Sequence, residues 1–366
     1  KKVYATINGF PFNSQIELLK KHIATMAALE PDGFIVAAPG VVKLCREIAP
    51  QIDIHLSTQA NVLNYLDAQV FWDMGVKRIV VAREISLKDV VEIKKHLPDM
   101  EIEIFVHGSM CFAYSGRCLV SAVQMGRVPN RGSCANDCRF EYTLYAASED
   151  HSTLFRLEEE PGVGTYIFNS KDMNLASHIQ EILDSGAVDS LKIEGRTKSP
   201  YYAAVTAKAY RHAIDDYYAD TFEASKYQRE LYTTKNRGFT DAYLIHRPFE
   251  KTDSQNHEYA LSKGSYEVTG LVIEDEEHFL CKYKVYPNED IEIFTPMDEE
   301  LVECENEIGK IFKRDNLYYI NFKKILTDTN KELESVHSGN VNKIKLPGKL
   351  PYLTMFRVEN VTEIIE

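Results

Sequence analysis

The chain has 366 residues, 44% of them hydrophobic and 27% charged, with a net charge of −13. That is enough for a large domain and a smaller one, and the acidic balance speaks against binding nucleic acid through bulk positive charge. No apolar run approaches the roughly 20 residues of a membrane span, and the start lacks the apolar core of a secretory signal. Seven unevenly spaced cysteines argue against a disulfide framework and for a reducing cytoplasm.

The first 200 residues alternate short apolar runs with amphipathic stretches. Val3–Asn8, Gly33–Ala37, Ile52–Ser57, Arg78–Ala82, Glu101–His107 and Ser190–Glu194 read as strands. Ser14–Leu29, Val41–Ile48, Asn61–Met74 and Ser86–His96 read as helices, the last opening on Ser86 as N-cap. This alternation predicts an α/β fold with parallel strands, closed as a (β/α)8 TIM-like barrel or open as a doubly wound sheet. Six strands alone would favour the open sheet.

In parallel α/β folds chemistry gathers at the C-terminal strand ends. Those ends carry Asn8, Thr58 with Gln59 and Asn61, Arg83 with Glu84, His107, and Glu194 with Arg196. Asn8, Gln59, Asn61, Arg83, Lys192 and Arg196 are expected to bind a small molecule. His107, Glu84 and Glu194 are the acid–base candidates.

The run Ile102–Val106 leads into a loop rich in Gly, Ser and Asn that holds Cys111, Cys118, Cys134 and Cys138. Four soft donors in one loop suit a structural zinc or an iron–sulfur cluster. The spacing Cys-x6-Cys-x15-Cys-x3-Cys is not that of paired zinc-ribbon cysteines, which tilts the reading towards iron–sulfur. Arg117, Arg127, Arg131 and Arg139 are interleaved with the cysteines. They read either as loop anchors that balance thiolate charge, or as contacts to RNA phosphates or a dicarboxylate.

Residues 141–168 read as a hairpin excursion, with strands at Thr143–Ala147 and Gly164–Phe168. Pro200 to Tyr218 is a helix whose face of Tyr201, Tyr202, Val205, Ala209, Tyr210 and Ile214 is suited to packing. The barrel domain is thus expected over 1–218, with the cysteine loop at 107–139, followed by a linker at 219–263. From 264 to 350 the period changes to two, predicting a small all-β barrel, and 351–366 reads as a tail.

The stretch Glu-x-Phe-x2-Gly-Ser-Met-Cys-x4-Gly-x-Cys-x-Val-Ser, Glu103 to Ser121, resembles the signature of the collagenase-like peptidase family U-32. Ser57-Thr-Gln-Ala-Asn61, Ala82-Arg-Glu-Ile-Ser86, Asn169-Ser-Lys-Asp172, Leu191-Lys-Ile-Glu-Gly-Arg196 and Asn236-Arg-Gly-Phe-Thr240 resemble it too. The last-but-one block, with the Thr-Lys-Ser that follows it, is most similar to the branch that hydroxylates tRNA. The resemblance implies 5-hydroxyuridine formation at the wobble position, without molecular oxygen and with prephenate as the hydroxyl source. It implies a 4Fe-4S cluster on Cys111, Cys118, Cys134 and Cys138. Some relatives carry a cysteine where this chain has Asn174, so the fourth ligand falls to Cys138. The family's barrel also implies two strand–helix units ahead of Val3–Asn8, so the chain, which starts at Lys1 without Met, is expected to lack N-terminal residues. Two other readings stay open: a U-32 peptidase, and a zinc-stabilised, non-catalytic interaction protein. Against the first, there is no His-Glu-x2-His and no Gly-x-Ser-x-Gly motif.

Overall fold

A computed structural model of the chain describes residues 1–140, 145–147, 154–156, 169–195, 198–245, 254–256 and 264–360. Two compact units emerge. One comprises 1–195, 213–224 and 236–262; the other comprises 196–212, 225–235 and 263–366.

In the first unit, strands β1 (Tyr4–Ile7), β2 (Gly33–Val36), β3 (Ile54–Leu56), β4 (Arg78–Val80) and β5 (Glu101–Ser109) pair in parallel, in chain order. Helices α1 (Ile16–Ala27), α2 (Pro39–Ile48), α3 (Tyr65–Asp73) and α4 (Leu87–His96) connect them. Ser86 caps α4 as expected, its hydroxyl accepting from the Asp89 amide. Phe34, Val36, Leu56, Ile79, Ile102 and Val106 are fully buried, as are Ile23, Val42, Val90 and Ile93 on the helices. Burial of both kinds of element is what a helix-covered parallel sheet produces.

The cysteine region contributes one short helix, α5 (Val120–Met125), and beyond it β6 (Tyr145–Ala147) pairs antiparallel with β7 (Leu154–Arg156). The expected hairpin partner Gly164–Phe168 lies outside the described residues. The sheet then gains β8 (Asp172–Asn174), and after α6 (Ile179–Asp184) it gains β9 (Ser190–Ile193). β5 is long enough to serve both: His107–Ser109 pair antiparallel with β8, and Glu103–His107 pair in parallel with β9.

After α7 (Pro200–Tyr218) and α8 (Ala224–Tyr232), strand β10 (Phe239–Thr240) joins β8. The segment expected as a linker, 219–263, therefore holds a helix and a strand of the main sheet. The expected (β/α)8 closure is not what the pairing gives. Among the described residues only β2 bonds β1, and β8 runs against β5, so the architecture is a mixed α/β sheet.

The second unit holds an eight-stranded antiparallel sheet. Its spatial order is Cys304–Glu305, Gly309–Arg314, Leu317–Phe322, Asp290–Phe294, Met355–Glu359, Tyr266–Val272, His278–Cys281 and Ile344–Lys345. Among the described residues this path is open, so the pairing is that of a sheet and not of the expected closed barrel. Met355–Glu359 is an interior strand with Phe356 wholly buried, which corrects the expected tail over 351–360; residues 361–366 lie outside the described residues. Its position could not be inferred locally, because a strand added late in the chain pairs with residues far upstream. Phe279, Phe322 and Phe356 pack with Ile291, Ile311 and Ile320 in the core of this unit.

Arg357 sits beside that core, 4% exposed. Its guanidinium donates to Glu292 at 2.9 Å, to Glu230 at 2.9 Å and to the Tyr201 hydroxyl at 2.9 Å. Removing one member of a buried charge network leaves the others uncompensated. Arg357→Ala is expected to cost this unit about 3–5 kcal/mol, read as a lower urea midpoint. Arg357→Lys is expected to recover only part of the loss, since lysine cannot fork to two carboxylates.

Candidate functional site

The ends of β1, β3, β4 and β5 carry the polar residues singled out above, and the cysteine loop is seated on them. Gly116 lies against the turn after β3: a Cβ there would sit 2.4 Å from the Gln59 carbonyl oxygen, and its φ of +74° is one that side chains avoid. Next to it, the Ser115 amide donates to Glu84 Oε1 at 2.9 Å, and its hydroxyl accepts from the Arg83 amide at 3.2 Å. The Cys111–Cys118 segment is thus held to the strand ends by two hydrogen bonds and one contact that only glycine permits.

Ser57 organises the β3 end. Its hydroxyl accepts from Asn8 Nδ2 at 3.3 Å and from the Gln59 amide at 3.4 Å, while Thr58 Oγ1 donates to the Val81 carbonyl at 3.1 Å. Asn61 follows in the left-handed region. Among the described residues Gln59 Oε1, Asn61 Oδ1 and Glu84 Oε2 are buried with no hydrogen-bond partner. Unmatched buried acceptors are costly, so this neighbourhood is short of donors. Tyr243 is close by; burial, then Glu84 and Tyr114, push its hydroxyl pKa up.

Phe105 lies at the centre of a charged cluster. The Arg83 guanidinium lies 3.9 Å over its ring, and Lys192 Nζ is 5.7 Å from it. Arg83, with only 11% of its side chain exposed, pairs with Glu194. Lys192 pairs with Glu103 at 3.0 Å, which also accepts from Ser190 at 2.9 Å and faces Arg78 at 3.3 Å. His107, two residues further along β5, accepts from the Glu194 amide through its carbonyl at 2.9 Å; it is 1% exposed, with its ring 5.4 Å from Phe239. Arg196 lies outside the described residues.

The four loop cysteines are free thiols. Cys111 lies within electrostatic reach of Cys118 and Cys138, and Cys138 within reach of Cys134. Cys111 is solvent-exposed as a residue, yet the atoms crowded round its thiol push that pKa up, and Arg83 pulls it back. Burial likewise raises Cys138, against Arg139 and Arg237. Cys134 accepts from the Asn136 amide at 3.4 Å and lies 3.9 Å from the Ser121 hydroxyl. Among the described residues no three His, Cys, Asp or Glu side chains are gathered tightly enough to hold one metal ion. Asn174, where some relatives have cysteine, is buried and accepts from the Ala176 amide at 3.1 Å.

Asp172 and Arg237 stand in two separate sequence blocks. They form a buried pair at 2.5 Å, and Arg237 faces Cys138. Arg117, Arg127 and Arg131 are exposed on the loop, while Arg139 is half-buried. Two cavities, of about 460 and 230 Å³, border Phe10 and Pro11 and not Arg83.

Residues 1–254 match the model of peptidase family U32, and the chain belongs to that family. It is 60% identical to tRNA hydroxylation protein P of Helicobacter pylori, over 98% of this chain and 85% of that protein. It is 36% identical to the protein of the same name in Escherichia coli, over 81% of this chain and 74% of that one. It is 30% identical to a collagenase of Porphyromonas gingivalis, over 67% of this chain and 59% of that one.

Burial would raise the Glu103 carboxyl, but Lys192, Ser190 and Arg78 hold it below the usual range. A carboxylate whose pKa is lower folded than unfolded stabilises the fold at neutral pH, and that contribution is lost as acid titrates it. The stability of the first unit is therefore expected to start falling below about pH 4.5. Glu103→Gln is expected to lower stability at pH 7 and to flatten this acid limb, measured by denaturant titration across pH.

Proposed function

We propose that this chain is a tRNA hydroxylase of the U32 family, acting in the cytoplasm to form 5-hydroxyuridine at the wobble position. The observation that carries the reading is the 60% identity to a tRNA hydroxylation protein across nearly the whole chain. Among the described residues no helix is long and apolar enough to cross a membrane, consistent with this assignment.

Cys111, Cys118, Cys134 and Cys138 would hold an iron–sulfur cluster. What supports this is the donor chemistry: four free thiols share one loop, Cys111 within electrostatic reach of Cys118 and Cys138, and Cys138 of Cys134, one thiol accepts a backbone amide, and Arg83, Arg139 and Arg237 offset the charge of thiolates. Such a cluster, when bound, supplies one-electron chemistry.

The remaining work falls to the chain's own side chains. Replacing C5–H of uridine by C5–OH is a two-electron oxidation, so the hydroxyl donor must accept two electrons as it gives up its oxygen. With prephenate as that donor, Arg83 and Lys192, both close to the Phe105 ring, would pair with its carboxylates. Glu194 and Glu103 hold these cations in place beforehand. The unmatched acceptors of Gln59, Asn61 and Glu84 would receive hydroxyl or N–H donors from the bound molecules. A peptidase reading needs one thiol activated by one base, and four thiols in one loop form a ligand set instead.

A strain lacking its own tRNA hydroxylation protein provides the test. This chain is expected to restore 5-hydroxyuridine in tRNA, measured by mass spectrometry of nucleosides, and Cys111→Ala is expected to abolish the restoration. Full activity of Cys111→Ala would remove the cluster from the account.

A further inference from the structure

The cavity of about 230 Å³ beside the cysteine loop is used by nothing described above. Its wall is the turn Phe10-Pro11-Phe12 after β1, and its rim carries Arg117, Asn130 and Arg131 from the loop. We infer that this pocket is a stacking site for one unpaired nucleobase of the RNA, an inference that rests on the RNA reading above.

Phe12 is 66% exposed, and the Arg131 guanidinium lies 5.5 Å over its ring. An exposed aromatic face with an arginine beside it is how proteins hold single-stranded bases. The Asn130 side chain has both a donor and an acceptor, as the edge of a base requires. Arg117 and Arg131 are exposed on the rim, where phosphates flanking an unstacked base would lie.

Charge favours a nucleic acid. The chain carries −13, yet residues 109–140 contain four arginines against one aspartate, a local charge of +3. Of these, Arg117, Arg127 and Arg131 are exposed and provide the local basic patch that so acidic a chain needs in order to bind RNA. A paired duplex keeps its bases stacked inside and has no ring to offer the pocket, so the site selects a loop over a stem.

The test compares two RNAs by fluorescence titration: a stem–loop with unpaired uridines and a fully paired duplex of equal length. Phe12→Ala is expected to weaken stem–loop binding about tenfold and to leave the duplex unchanged. Arg131→Gln is expected to weaken both, and to reduce the dependence of log affinity on log salt by about one unit. Tyr352→Ala, an exposed aromatic in the other unit, serves as the control and is expected to change neither. If the wild-type protein binds the stem–loop and both loop variants match it, the pocket inference is wrong and the RNA reading stands. Equal weakening of loop and duplex by Phe12→Ala also overturns stacking. If the wild-type protein does not bind the stem–loop, the RNA reading itself fails. Displacement of the stem–loop by a gelatin peptide would assign the pocket to peptides and overturn the inference.

Discussion

The site depends on how a long irregular loop is seated on the ends of parallel strands. Gly116 rests on the Gln59 carbonyl at a distance no side chain would tolerate, and Ser115 is bonded to the backbone of Arg83 and the carboxylate of Glu84. These contacts bring Cys111 beside Arg83, and Arg83 in turn covers Phe105. Without that seat the four thiols would belong to a free loop, and the strand-end residues would face solvent alone.

Electrostatics complete the arrangement. Arg83 and Arg139 lie within electrostatic reach of Cys111, Arg139 and Arg237 of Cys138, and two of the three are positioned by other parts of the first unit. Arg83 is held by Glu194, Arg237 by Asp172, and Arg139 lies within the loop itself. Preformed ion pairs of this kind keep cations in place before any anion arrives, so binding costs less reorganisation. The same logic applies at Lys192, which Glu103 holds between β5 and β9.

Much of this was legible in the sequence. The first five strands, four helices and the Ser86 cap follow from periodicity and capping chemistry, because a buried parallel strand and an amphipathic helix both leave strong local patterns. The polar strand ends and the four cysteines were visible as residue types at recurring places. The exceptions share one cause. Asp172–Asn174 runs antiparallel, Phe239–Thr240 is only two residues long, and Met355–Glu359 pairs with strands far upstream. Each is decided by non-local pairing that no short window contains. Phe105 read as an ordinary core residue of a strand, and only the three-dimensional arrangement shows two cations on it. Asp172 and Arg237 each stood in a recognisable block, but nothing in either block says that they meet. Phe12, lying between an apolar strand and a helix, gave no sign that it would be left exposed.

The central claim is that the four loop cysteines carry an iron–sulfur cluster in a protein that hydroxylates tRNA. Anaerobic purification followed by an absorption spectrum and iron, sulfide and zinc analysis tests it most directly. The account predicts a broad band near ~400 nm with matched iron and sulfide, both lost in a variant without Cys111. Stoichiometric zinc without iron would contradict it, and would make the loop a structural element in a protein of another function.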